Sequence, residues 1–324
     1  MHYWKHGRIG EFLVENPIVL GHESAGVVES CGPDVRSVKV GDRVALEVGT
    51  SCLTCDQCRA GKYNLCGHMK FAATPPYDGT LAEFYRLPEE CCWKLPDHVS
   101  FEQGALAEPL AVAVHSSKLG FVSPSTSVVI FGAGTVGLLC GAVAKAFGAT
   151  DVIMVDITQS RLDFAREHLQ IEIHNGKGHN GGGFDAQSLL AQLGCPDGAD
   201  VVIDATGAEV CIANGLKSLR RGGCFVQVGL GPSDIKFPLG LVCSKEAVFK
   251  GSFRYGPGDY RLAIDLLAKR KVNVDGFVTD RYDFRDIEQA FTDTFNQKGI
   301  KNIIYGPGVI DDTLRSGTQN GSKE

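Results

Sequence analysis

The hydrophobic patterning of the chain changes near residue 120. Before it, short apolar runs alternate with polar positions and are broken by Gly and Pro. SAGVVES at 24–30, GDRVALEV at 41–48 and GTLAEFYRL at 79–87 read as short strands of an irregular, mostly β unit. After it, continuous apolar strands alternate with helical segments. SVVIFG leads into a helix over 136–147, and DVIMVD into a helix over 160–168. IEIH, a helix near Ser188, ADVVIDAT, a helix over 210–219, GGCFVQVG and AVFKGSF follow in turn. Such a series predicts a parallel, doubly wound sheet with both faces covered by helices. From about Val278 the texture returns to a strand, an amphipathic helix (RDIEQAFTDTF) and a strand (KNIIYG). That last part is expected to complete the first unit, so the α/β unit is inserted into a split partner. The Gly-rich stretch GKGHNGGG at 176–183 reads as a flexible loop, and the polar tail at 311–324 as disordered.

Composition narrows the class. Lys and Arg total 32 against 38 Asp and Glu, a net charge of −6 without a basic cluster, which argues against a nucleic-acid partner. No apolar run reaches the roughly 18 residues that span a bilayer, and the first residues, MHYWKHGRIGEF, lack the apolar core of a signal peptide. Four of the twelve cysteines crowd into residues 52–66, and the others are scattered, mostly in apolar segments. That distribution fits a reducing cytosol and a metal cluster better than a disulfide framework.

Two motifs carry chemistry on their own terms. SVVIF runs into GAGTVG, placing Gly132, Gly134 and Gly137 as G-x-G-x-x-G at a strand-to-helix turn. The first glycine permits the turn, the second lets backbone N–H groups approach a pyrophosphate, and the third lets helix and strand pack closely. Asp156 follows Gly137 by nineteen residues at the end of DVIMVD, where a carboxylate accepts from a ribose 2′-hydroxyl and repels a 2′-phosphate. NAD is therefore expected over NADP, against an unrelated Gly-rich turn or a Rossmann-like methyltransferase. The second motif is the run Cys52, Cys55, Cys58 and Cys66, spaced C-x2-C-x2-C-x7-C. Four thiolates on one loop suit a closed, structural tetrahedral zinc. An iron–sulfur cluster uses the same ligands, and disulfide pairing is the plain alternative.

The chain resembles the medium-chain zinc-dependent dehydrogenases, and within them the sorbitol and xylitol (polyol) branch. The resemblance spans nearly the whole sequence. It rests on HYWKHGRIG, LGHESAGVV, the cysteine loop, FAATPPYDGTL, ALAEPLAVAVH, GAGTVG with Asp156, and GSFRYGPGDY. It implies a GroES-like, β-rich catalytic domain over 1–118 and 256–310, with a Rossmann NAD-binding domain over 119–255. It also implies a catalytic zinc at His22 and Glu23, with Glu108 beside the metal-bound water, and polyol contacts from Tyr3, Arg254 and Tyr255 against a wall formed by Phe71. Val136, Arg161, Val228, Gly229, Leu230 and Phe253 would join Asp156 around NAD.

The family's cysteine ligand to that zinc lies in a G-I-C-G-S-D-like stretch upstream of the position of His2. The chain as given begins at Met1, so an N-terminally truncated catalytic domain is expected, with no cysteine at the catalytic metal. The function implied is zinc- and NAD-dependent oxidation of a xylitol-, sorbitol- or arabinitol-type polyol to its ketose, in the cytoplasm, by a homotetramer or homodimer. Two alternatives are an impaired NAD-binding protein that keeps only the structural zinc, and a zinc-free reductase. The cysteine loop and the GHE motif count against the second.

Overall fold

The structure is a computed structural model and describes residues 2–177 and 183–307. Most of the Gly-rich stretch at 176–183, and the whole tail at 311–324, lie outside the described residues.

The first hundred residues hold little regular structure. A helix α1 (His2–His6) leads to a hairpin of β1 (Arg8–Ile9) and β2 (Phe12–Leu13). An antiparallel sheet then joins β3 (Ala25–Val27) to β4 (Arg43–Leu46). The pair β5 (Gly49–Thr50) and β6 (Lys70–Phe71) brackets the cysteine loop, which contains one short helix α2 (Asp56–Arg59), and β7 (Cys92–Lys94) joins the other side of β4. The expected strand at 79–87 does not form. Its start is captured by the chain before β3 instead, through Thr80 N to Gly21 O (2.8 Å) and Leu81 N to Leu20 O (2.9 Å). Phe84 in this stretch is 66% exposed. Apolar alternation without a partner edge does not make a strand.

Helix α3 (Phe101–Ala105) starts on a capping box between Ser100 and Gln103. Helix α4 (Ala107–Leu119) is buried along most of its length, because AEPLAVAVHSS offers small and apolar side chains on every face. It stands between the two halves, packed against α5 (Thr135–Ala146) on one side and α10 (Asp259–Ala268) on the other.

The middle of the chain follows the expected alternation closely. Strands β8 (Ser127–Phe131), β9 (Asp151–Asp156), β10 (Glu172–Asn175), β11 (Ala199–Asp204), β12 (Leu219–Gln227) and β13 (Val248–Gly251) form one parallel sheet in the order β10-β9-β8-β11-β12-β13. Between them run α5, α6 (Gln159–Leu169), α7 (Ala186–Leu193), α8 (Glu209–Ser218) and α9 (Leu239–Lys245). Alternate residues of each strand enter different cores. Val128, Ile130, Met154, Ile203 and Val226 face one side, and Val129, Phe131, Ile153, Val202 and Phe225 the other. Burial on both faces is why these strands are continuously apolar.

After the sheet, Tyr260 of α10 stacks on Trp93 at 6.0 Å and donates its hydroxyl to Leu46 O at 2.9 Å, tying this segment to the first sheet. β14 (Val278–Tyr282), α11 (Ile287–Phe295) and β15 (Lys301–Ile304) complete the described chain, with β14 and β15 paired in parallel.

Candidate active site

His22 and Glu23 lie in the extended segment before β3, and Glu108 in the first turn of α4. The fold brings their ligand atoms within 4.8 Å of one another. Burial lowers the His22 pKa to about 4, helped by the positive charges of Lys301 and Arg254, so the ring is held neutral, the form that binds metal. Glu108 is 5% exposed, and burial raises its pKa to about 8 against the opposing pull of Arg254. One imidazole and two carboxylates are donors that zinc accepts, and three protein ligands leave a position open for an exchangeable group. The donor set therefore fits a catalytic zinc, and no cysteine is part of it among the described residues.

Lys301, a residue the sequence reading did not single out, reaches this cluster from β15. Its ammonium pairs with Glu23 Oε2, and burial lowers its pKa to about 8. Glu23 thus already has a cationic partner, for which a metal would compete. A lone lysine opening the apolar strand KNIIYG was the available signal.

Around these groups stands a mixed wall. The Phe71 ring, buried at the end of β6, lies 5.8 Å from the His22 ring and 6.5 Å from the Tyr255 ring. The Arg254 guanidinium stacks over Phe71 at 4.0 Å. Tyr3 is close enough to feel the Arg254 charge, and Arg254 that of Glu108. The structure therefore gathers Tyr3, Phe71, Arg254 and Tyr255 beside the His22–Glu23–Glu108 cluster, although they come from three segments. The buried Tyr255 hydroxyl has no hydrogen-bond partner among the described residues. A buried polar group without a partner calls for an explanation, and here it lies beside the charged groups of the cluster, where a polar ligand would supply one.

The nucleotide crevice opens where the strand order reverses, between β8 and β11. Gly132 turns with φ +98°, and a Cβ on Gly137 would stand 1.8 Å from Gly132 O, so this turn admits glycine at both places. Gly134 caps α5 without a side-chain bond, leaving the N–H groups of the first turn facing the crevice. Asp156 is fastened at the rim, its Oδ2 accepting from Ala133 N and its Oδ1 from Thr158 N, both at 2.7 Å. Val228 and Gly229 approach from β12, their N–H groups both bonded to Asp204 O at 2.9 Å, with Leu230 exposed beyond them. Phe253 is half-exposed beneath the Arg254 guanidinium at 4.6 Å. Arg161 is placed differently from the rest. Its guanidinium donates to Gln297 O (3.3 Å) and Gly299 O (3.5 Å), tying α6 to the turn before β15.

The second metal candidate is the cysteine loop. The four sulfurs lie within 4.8 Å of one another, with Cys52 3.5 Å from Cys66 and 4.0 Å from Cys58. Zinc–sulfur bonds of about 2.3 Å in a tetrahedron space sulfurs roughly 3.8 Å apart, so these distances fit. Backbone N–H groups of Cys55 (3.3 Å) and His68 (3.4 Å) point at Cys52 and Cys66 sulfurs. Hydrogen bonds from the backbone at Thr54 and Cys55 bring the Cys52 pKa down to about 5. The Cys52 sulfur is thus favoured as a thiolate, whereas burial and its sulfur neighbours push the Cys55 thiol up to about 11, so that proton must be displaced by the metal. All twelve cysteines are free thiols.

Comparison with known proteins agrees with this geometry. The sequence model described as zinc-binding dehydrogenase matches residues 135–269, and that of the alcohol dehydrogenase GroES-like domain matches residues 1–97. The D-xylulose reductase A of Aspergillus niger is 52% identical over 306 residues, covering 94% of this chain and 85% of that protein. The probable D-xylulose reductase A of Aspergillus fumigatus is 54% identical over the same coverage. Among solved structures, the L-idonate 5-dehydrogenase of Escherichia coli superposes with a TM-score of 0.84 at 27% identity, covering 94% of this chain and 86% of that one. The 2R,3R-butanediol dehydrogenase of Bacillus subtilis superposes at 0.79 with 29% identity, covering 89% and 80%. The chain belongs to the zinc-binding dehydrogenase family.

Proposed function

We propose that this chain oxidises a secondary hydroxyl of a polyol, of the xylitol, sorbitol or arabinitol type, to the ketose, with NAD as the hydride acceptor. The observation that carries the reading is the unpartnered Tyr255 hydroxyl, buried beside Arg254 and the His22–Glu23–Glu108 cluster. A substrate with several hydroxyls supplies the missing partner. The relatives named D-xylulose reductase support the same substrate class. Bound at the cluster, zinc supplies Lewis acidity that lowers the pKa of an alcohol, and NAD takes the hydride.

The protein's own share follows from its side chains. His22, neutral, would hold the metal, and Glu23 and Glu108 would hold it or its water. A bound cation favours the ionised form of Glu108, whose carboxylate oxygen, like that of Glu23, can then take up the hydroxyl proton. Phe71 keeps bulk water from the reacting carbon. Tyr3, Arg254 and Tyr255 donate to or accept from the other hydroxyls and so set which carbon faces the cofactor. Gly132, Gly134, Val136, Gly137, Val228, Gly229, Leu230 and Phe253 surround NAD. Asp156 accepts from the adenosine ribose and disfavours a 2′-phosphate. Arg161 flanks that end only if it leaves the carbonyls of Gln297 and Gly299.

We assign residues 1–118 and 256–310 to the catalytic unit and 119–255 to the cofactor unit. The structural zinc belongs to Cys52, Cys55, Cys58 and Cys66. Among the described residues β13 ends the large sheet with its outer edge unpaired, and Phe249 on it is 39% exposed. That edge supports self-association as a dimer or tetramer, which light scattering on the purified protein tests. Among the described residues no helix is long and apolar enough to cross a membrane, and the eight cysteines outside the loop, none of them in a disulfide, suit the cytosol.

The test is zinc per chain after dialysis together with NAD-linked oxidation of xylitol, sorbitol and arabinitol. About two zinc ions with turnover is expected. One zinc, saturable NADH binding and no turnover on any polyol overturns the proposal in favour of an impaired NAD-binding protein.

A further inference from the structure

The short segment that carries Arg254 and Tyr255 is gripped from the cysteine loop. Residues 63–65 form a single 3-10 turn just before Cys66. Asn64 in that turn is only 6% exposed, an unusual place for its side chain. Its Nδ2 donates to Phe253 O at 3.0 Å, across 189 positions of sequence. The preceding Tyr63 donates its hydroxyl to Glu47 Oε1 at 2.5 Å and stands 3.4 Å from Gly256 O. Glu47 is itself buried and fixed by Trp93 Nε1 at 2.7 Å. Two consecutive side chains of the loop thus meet the carbonyls on either side of Arg254 and Tyr255. From the other direction Asp259 Oδ2 accepts from Gly256 N at 2.7 Å.

The segment needs holding. Arg254 has φ +56°, a left-handed conformation that a long side chain rarely adopts and that persists only where its surroundings impose it. With that turn, the Arg254 guanidinium covers Phe71 while the next side chain, Tyr255, enters the core.

We propose that Asn64 is a positioning residue. Through its bond to Phe253 O it holds the 253–256 turn so that Arg254 and Tyr255 meet the polyol together, which links the cysteine loop to substrate recognition. This rests on the reading of Arg254 and Tyr255 as polyol contacts.

The test replaces Asn64→Leu, which keeps size and branching but removes the donor, in the whole 324-residue, metal-loaded chain. Substrate contacts present in both ground and transition states raise KM when lost. KM for the polyol should therefore rise on the order of tenfold with kcat changed by less than about twofold. NADH affinity and zinc content should stay as in the parent, and amide exchange should quicken at 253–256 only. In an Arg254→Ala background the same substitution should raise KM by clearly less than in the parent, because only the Tyr255 contact is left to be displaced. Unchanged KM with unchanged exchange at 253–256 overturns the proposal, as does an equal KM rise in the Arg254→Ala background. If the leucine variant does not fold, Asn64→Ala, which leaves space rather than bulk, answers the same questions. Absence of polyol turnover in the parent chain would instead remove the proposed function, and the exchange measurement would still decide whether Asn64 holds the turn.

Discussion

The two metal candidates are built in opposite ways. Cys52, Cys55, Cys58 and Cys66 come from one loop, so their convergence depends on little beyond that loop. His22 and Glu23 are neighbours, but Glu108 lies on a helix 85 positions after Glu23, and the Lys301 that pairs with Glu23 comes from the last described strand. Their ionisation differs as well. Backbone N–H groups lower the Cys52 pKa to about 5, so that sulfur is prepared to be an anion. Burial raises the Glu108 pKa to about 8, so that carboxyl keeps its proton near neutral pH until a cation beside it favours the charged form. A closed site of four sulfurs, one of them already prepared to be an anion, holds its metal for stability. A site of few ligands, one of them reluctant to ionise, leaves room for proton transfer.

If that contrast is right, His22→Ala produces the largest loss of activity. kcat/KM should fall by about 10³-fold or more, zinc should drop from two to one per chain, and the melting temperature should barely move. Cys58→Ser should show the reverse emphasis. Zinc again drops by one, but the melting temperature falls on the order of 10 °C, because a structural metal contributes folding energy directly. Calorimetry with zinc analysis separates the two, and equal thermal losses would erase the distinction. Glu108→Gln comes next, with kcat lower by about 10²-fold and the fold intact, read from steady-state rates on a polyol.

The smallest effect is a pH dependence in protein stripped of metal. Glu108 keeps its proton in the fold up to about 8, whereas the unfolded chain releases it near 4.5. The native state then binds the extra proton, so stability falls as pH rises through that window. His22, lowered to about 4 from 6.5, acts in the opposite sense, adding stability as pH rises between those values. The two oppose each other below 6.5. Between 6.5 and 8 Glu108 leaves a decline of at most about 2 kcal/mol. Urea midpoints at those two pH values measure it, and Glu108→Gln should abolish it.

Several parts of the molecule were legible because their determinants are contiguous. Apolar strands ending in GAGTVG and DVIMVD predict β8, β9 and the turn between β8 and α5, since a parallel strand buried on both faces has no polar alternation to hide it. GTLAEFYRL was misread for the complementary reason: alternation names a face, and the hydrogen bonds went to Leu20 and Gly21. His22, Glu23 and Glu108 could be grouped only by resemblance to a family, because a helix turn and a loop carry no mark of meeting. Lys301 and Asn64 were passed over, each an ordinary polar residue until a distant backbone or carboxylate is placed against it.

The sequence by itself determined the cofactor half and the four-sulfur loop, whose geometry follows from short spacings and local backbone. Only the tertiary structure decided which of the distant carboxylates, tyrosines and cations share one site, and which of them resist charge. Desolvation and Coulomb interaction depend on what the fold packs around a group, and no local spacing specifies that.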